Sequence, residues 1–161
     1  VQPRPHTNKG ARDMKTLIIG ALALMLAAPA ALADKYLGKL SENQHNADST
    51  SNPYGTYGSE HSPDSINNPH GRYGSEYSNE SPNNPYATNP PKLYDKQGNY
   101  RGKLSSNPYD PESVANPYGR YGSEHSPDSI NNPYGAGNPY RVDSPSNPYG
   151  EGLNLYSDDD G

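Results

Sequence analysis

Proline at a fixed spacing constrains this chain more than any other feature. Asn-Pro begins at 52, 68 and 84, again at 116 and 132, and then at 147, so the step is sixteen residues within each run and fifteen at the last. Shorter inserts start at 107 and 138. Each proline fixes φ near −65° and has no N–H to give, which opposes a helix or a central strand at that point. The asparagine before it is pushed towards extended conformations. In Asn116-Pro117-Tyr118-Gly119 the order Asn, Pro, Gly at positions one, two and four is the composition of a type I β-turn. Ser126-Pro127-Asp128-Ser129 follows the same logic, with Ser opening the turn. Each unit therefore reads as two tight turns joined by short extended segments.

A longer period contains the short one. Tyr36–Gly71 aligns without gaps to Tyr100–Gly135 at an offset of 64, with 25 of 36 positions identical. Because 64 is four times sixteen, this is tandem duplication of a structural unit rather than compositional bias. Three places break the pattern: Lys35–Ser41, its copy Tyr100–Ser105 preceded by Lys92–Asn99, and Leu153–Tyr156. Residues 92–105 read as a β-hairpin with a Gly-containing turn. These segments hold six of the ten Leu, Ile and Val residues of 34–161, so any local fold should be a small antiparallel sheet made from them. One Ile or Val per unit, as at Ile66, Val114 and Ile130, is a thin strip on which to stack units.

The fold class expected is mostly irregular or disordered, turn-rich tandem repeats with minor antiparallel β-structure. No helix is expected beyond a signal peptide. Residues 34–161 contain no Phe, Trp or Met beside those ten aliphatics and fifteen Tyr, too little apolar surface to offset the ordering of the chain around a single core. The segments run 1–33, an upstream extension plus signal peptide; 34–51, a short strand and a degenerate repeat; and 52–91, the first repeat block. They continue with 92–105, the hairpin; 106–150, the second repeat block; and 151–161, a short strand and acidic tail.

Met14-Lys15, an apolar run from Leu17 to Ala28, and Ala31-Leu32-Ala33 form the charged start, apolar middle and A-x-A end of a secretory signal. Cleavage is expected between Ala33 and Asp34, giving a periplasmic or extracellular protein with no membrane attachment afterwards. Residues 34–161 then carry 17 acidic and 9 basic side chains, a net charge of −8. With no basic patch, nucleic acid is not an expected partner, and an envelope polymer or protein is, with self-association open. The chain has no cysteine, so disulfides, thiol catalysis and Cys-based zinc sites are excluded.

The strings NPYGRYGSEHSPDSINNPYGAGNPY and LYDKQGNYRGKLSSNPYDPESVANPYG resemble a group of small exported bacterial proteins built from Asn-Pro-Tyr-Gly repeats. The resemblance covers nearly all of 35–156. It departs at Asn43-Gln44-His45, where Asn107-Pro108-Tyr109 stands in the later copy. It implies export and repetition, and nothing about activity.

Catalysis is not expected, and neither is a cofactor. His61, Ser62 and Asp64, repeated as His125, Ser126 and Asp128, offer triad chemistry, but a triad needs a scaffold that holds fixed geometry. The position of His61 and His125 is Tyr77 in the intervening unit, and His70 stands where other units have Tyr. A planar polar ring is the requirement there. Asp64 and Asp128 are weak calcium candidates, since the spacing of known calcium loops is missing and Asx-turns account for them. The tyrosines are the distinctive chemistry. Those of the Asn-Pro-Tyr turns, Tyr54, Tyr86, Tyr118, Tyr134 and Tyr149, are the candidate binding residues, against the plainer expectation that they stack on prolines within the chain. The function expected is a structural or multivalent binding element acting through these turns. The alternatives are a calcium-responsive envelope protein and a substrate for oxidative tyrosine cross-linking.

Overall fold

The computed structural model describes residues 34–158. The expected signal peptide, including Ala33 at its cleavage site, lies outside the described residues, as do Asp159 and Asp160 of the acidic tail. Among the described residues there is no helix, and four short strands form one antiparallel sheet. They are β1 (Lys35–Leu40), β2 (Lys92–Tyr94), β3 (Tyr100–Lys103) and β4 (Leu153–Ser157), arranged β1-β4-β2-β3.

The long duplication accounts for that order. β1 and β3 are two copies of one segment and form the two edges, while β2 and β4 share a Leu-Tyr pair and form the centre. β1 pairs with β4, β3 pairs with β2, and in the central pair Leu93 stands opposite Leu155. Exchanging the two halves of the chain maps this pairing onto itself. Each half therefore lends its edge strand to the central strand of the other half, as in an exchanged dimer fused into one chain.

Strand alternation sorts the side chains by face. Leu37, Leu93 and Leu155 are fully buried and join Leu153, Val114 and Tyr73 in the hydrophobic core, with Ile66 and Ile130 packed against it. The neighbouring positions carry Tyr36, Tyr94 and Tyr156. With Tyr100 and one tyrosine from each repeat block they make a six-ring ladder, Tyr57–Tyr36–Tyr156–Tyr94–Tyr100–Tyr121, with successive ring centroids 5.3–5.8 Å apart. Four of the five contacts are edge-to-face, the arrangement the ring quadrupole favours.

The ends of the ladder depend on glycine. Each edge strand carries one residue more than its partner, at Gly38 (φ 89°) in β1 and Gly102 (φ 96°) in β3, a bulge conformation that L side chains disfavour. A Cβ on Gly38 would lie 2.5 Å from Tyr57 Cβ, and one on Gly102 would lie 2.7 Å from Tyr121 Cβ. The bare backbone is what lets those two rings close the ladder.

Between the strands, 41–91 and 104–152 carry tight turns in close succession. In 52–68 five turns follow one another, opened by Asn52, Gly55, Ser59, Ser62 and Ser65, with backbone N–H groups of Gly55, Ser59, Ser62, Ser65 and Asn68 closing them. Four advance by three residues and one by four, which sums to the sixteen-residue step. The expected two turns with extended joints are thus corrected to five with none. Ser59 and Ser65 open turns without help from proline or glycine, because each hydroxyl accepts the N–H two residues on, from His61 and Asn67. Composition places these blocks near the disordered class, yet backbone hydrogen bonds recur along them at nearly every third residue.

The hairpin turn between β2 and β3 is organised by Asp95, which is 2% exposed. Its carboxylate accepts hydrogen bonds from the backbone N–H of Gln97 and Asn99, the Asn99 amide and the Arg101 guanidinium at 2.8–3.1 Å. Burial alone would raise the Asp95 pKa, but these donors outweigh it and hold the value at about 2.

Two outcomes follow for stability. Leu93→Ala and Leu155→Ala should each cost about 2–5 kcal/mol in denaturant titrations, and as cross-strand neighbours they should not be additive. Burial, reinforced by Asp48 and Glu112 respectively, raises the phenols of Tyr36 and Tyr100. The unfolded chain therefore releases these protons first. Stability should be fully present below about pH 10 and fall above it, as read by thermal melts from pH 8 to 11.

Candidate functional site

The fifteen tyrosines separate into two populations. Seven form the ladder or the core, and eight point into solvent. Tyr54, Tyr86, Tyr118, Tyr134 and Tyr149 are each at least 86% exposed, so they do not stack on prolines within the chain. Tyr109 and Tyr140, in the shorter inserts, are exposed to the same degree. So is Tyr77, which sits where other units have His61 and His125.

The turn that holds each ring explains its exposure. In all six units of the short repeat the Asn Oδ1 accepts the backbone N–H two residues on, from Tyr54, His70, Tyr86, Tyr118, Tyr134 and Tyr149. The same Asn donates Nδ2–H to the carbonyl six residues back, at 2.9–3.2 Å. One side chain thereby fixes its own turn and the turn before it, and the ring is left at the apex. Asparagine is required because the role needs an acceptor and a donor on one short stem; Asp lacks the donor.

A second asparagine links neighbouring units. Asn67 Nδ2 donates to Thr50 O at 2.7 Å and to Gly58 O at 3.0 Å. Asn83 and Asn131 make the same pair of contacts, to Ile66 and Gly74 and to Val114 and Gly122. Beneath them lie serines spaced sixteen apart, Ser49, Ser65 and Ser81 in one block and Ser113 and Ser129 in the other, all fully buried. Ser49, Ser65 and Ser113 each donate the hydroxyl to a carbonyl eight residues back.

This packing forms open grooves. One is bounded by the exposed Tyr54, Glu60 and His61 over buried Gly58, and another by His70, Glu76 and Tyr77 over Gly74. The two are sixteen residues apart in every one of these positions. In the first, His61 Nε2 lies 3.7 Å from the Glu60 carboxylate. In the second, a hydrogen bond to the Glu76 carboxylate raises the Tyr77 phenol. A Cβ on Gly58 or Gly74 would run into the backbone of Asn52 or Asn68, so only glycine fits at these two lining positions.

Asp64 and Asp128 are engaged by cations. Lys35 Nζ is 2.5 Å from Asp64, and Asp128 lies between Arg101 at 3.0 Å and Arg120 at 2.6 Å. Calcium at either position would have to displace an ammonium or a guanidinium. Among the described residues no three His, Asp or Glu side chains converge as metal ligands, and no helix is long and apolar enough to cross a membrane. Asp34 is the first described residue and is exposed. His61 and His125 are also exposed, and the neighbouring serines spend their oxygens on turn backbone rather than on imidazole.

No family model matches this sequence, and no curated protein and no solved structure is significantly similar to it.

Two substitutions separate the rings from their supports. Tyr118→Ala should change stability by less than about 0.5 kcal/mol, whereas Asn116→Asp, which loses the donor to Asp110 O, should cost about 1–3 kcal/mol in the same denaturation assay.

Proposed function

We propose that this chain is an exported, non-enzymatic, turn-rich tandem-repeat protein that acts as a structural or multivalent binding element of the cell envelope or the extracellular space. Its contacts are the tyrosines at the apices of the Asn-Pro-Tyr turns. The observation that carries the reading is the division of one residue type into two roles. The sheet and core retain seven rings, while the turns hold the others out in water, where each costs apolar exposure with no return to the fold. A Tyr ring offers a broad apolar surface with a polar tip and few torsions to freeze, which suits it to contact. Weak contacts repeated along one chain reinforce one another through effective concentration. The asparagine links between successive units support a packed array of repeats that presents these rings in a fixed order.

The exposed phenols support a second reading, as a substrate for oxidative cross-linking. A peroxidase-type oxidant would take one electron and one proton from each of two phenols, and the resulting radicals would join through a C–C bond. Dityrosine fluorescence after treatment with peroxidase and hydrogen peroxide tests it.

The main reading is tested by co-sedimentation with isolated envelope material. Wild-type chain should pellet, and replacing Tyr54, Tyr86, Tyr118, Tyr134 and Tyr149 together by Ser should weaken pelleting by about a hundredfold, with each single replacement having a small effect. Equal pelleting of wild type and the fivefold variant would overturn the reading.

A further inference from the structure

The two repeated grooves carry an assignment that rests on the multivalent reading and gives it a ligand. His and Tyr interchange at two positions of the repeat, and both positions line the same groove. Where Tyr54 is replaced by His70 one unit later, His61 is replaced by Tyr77. Each groove thus keeps one phenol and one imidazole whichever wall holds which. A glutamate, Glu60 or Glu76, stands beside the second ring in both. The first set recurs in sequence as Tyr118, Glu124 and His125, with Gly122 and Asn131 at matching offsets.

We infer that these grooves are successive subsites for the sugar rings of a neutral, hydroxyl-rich polysaccharide. Two exposed planar rings offer flat surfaces to the C–H faces of a pyranose. The carboxylate accepts sugar hydroxyls, and the hydroxyls of Thr50 and Ser59 lie in the same lining to exchange hydrogen bonds with them. Gly58 and Gly74 add no side chain to the lining between the two rings. The walls also argue against the other polymer that aromatic grooves commonly take, a proline-rich peptide in the polyproline II form. Such a peptide offers carbonyl acceptors and few donors, so it would bring Glu60 and Glu76 no partners beyond those they already have within the chain. A polyanionic glycan is disfavoured by those two carboxylates and by the net charge of −8 over 34–161. Recurrence at sixteen-residue steps suits a polymer of repeated units, because each subsite adds to the avidity of the next.

The test is affinity electrophoresis of the full chain through gels containing hydroxyethyl cellulose, together with titration by chitohexaose followed in the amide signals of Gly58, Gly74 and Gly122. Retardation or shifts by at least one of these neutral glycans is expected. Binding should be weakened about tenfold or more in a His61→Ala/Tyr77→Ala variant whose melting temperature is unchanged. Neither position belongs to the five turn-apex tyrosines, so the two readings separate. If the full chain binds neither glycan at millimolar sugar, or the variant binds them as well as wild type, the assignment fails. Preferential binding of a decaproline peptide or of hyaluronan in parallel titrations would likewise overturn it. In any of these cases, continued pelleting of the variant with envelope material would leave the turn-apex reading standing.

Discussion

The interaction on which the rest depends is the hydrogen bond from a backbone N–H to the side-chain oxygen two residues earlier. At Asn52, Ser59, Ser62, Ser65 and Asn68 it closes the local turn from inside, while the backbone closes the same turn from outside. A chain that turns at nearly every third residue cannot present alternating faces to a sheet or a stripe to a helix, so it has no large apolar surface to bury. What it buries instead is a row of serines, each shielded from water by the carbonyls and amides that satisfy it. A buried hydroxyl without a partner would be costly. Here none of the buried side-chain polar atoms among the described residues lacks one.

The sheet solves a different problem, that of anchoring two such blocks with few aliphatic residues. By pairing the edge strand of each half with the central strand of the other, the duplication sets Leu93 against Leu155 at its middle. It also lines up six tyrosines contributed by both halves. Neither half can complete the ladder alone: Tyr36, stacked with Tyr57 in the first half, meets Tyr156 of the second, while Tyr100, stacked with Tyr121 in the second, meets Tyr94 of the first. Within the strands the core leucines and the ladder tyrosines alternate between the two faces, and Tyr121 at the end of the ladder also packs against the core. The turn blocks are thereby fixed at both ends, and the exposed rings inherit their positions from the sheet.

Much of this was legible in the chain, and the failures have physical causes. The Asn-Pro-Tyr turns were readable because proline and asparagine signal them locally, and the small antiparallel sheet because the aliphatic residues cluster in three places. The turns opened by Ser59 and Ser65 were missed because they contain neither proline nor glycine, and their only signal is a serine two residues before the N–H it binds. The strand order was hidden because it arises from two halves meeting in space. The separation of the tyrosines had a local signal in hindsight. Those after proline lie outside, and those after Leu93 and Leu155, or before Gly58, Gly74 and Gly122, lie inside. The interchange of His and Tyr was visible in the sequence. That both positions line one groove was not, because it depends on how successive turns pack.

The most direct measurement is hydrogen exchange of the full chain, read residue by residue in ¹H–¹⁵N correlation spectra at neutral pH. If side-chain and backbone hydrogen bonds order the repeats, the turn-closing amides of Ser65, Asn68, Ser129 and Asn132 should exchange far more slowly than in an unstructured peptide. The Asn67 and Asn131 side-chain amides should show separate, dispersed signals. Exchange of those amides at the unstructured rate, with protection confined to the strands at 35–40, 92–103 and 153–157, would contradict it and leave a small sheet joined by flexible tethers.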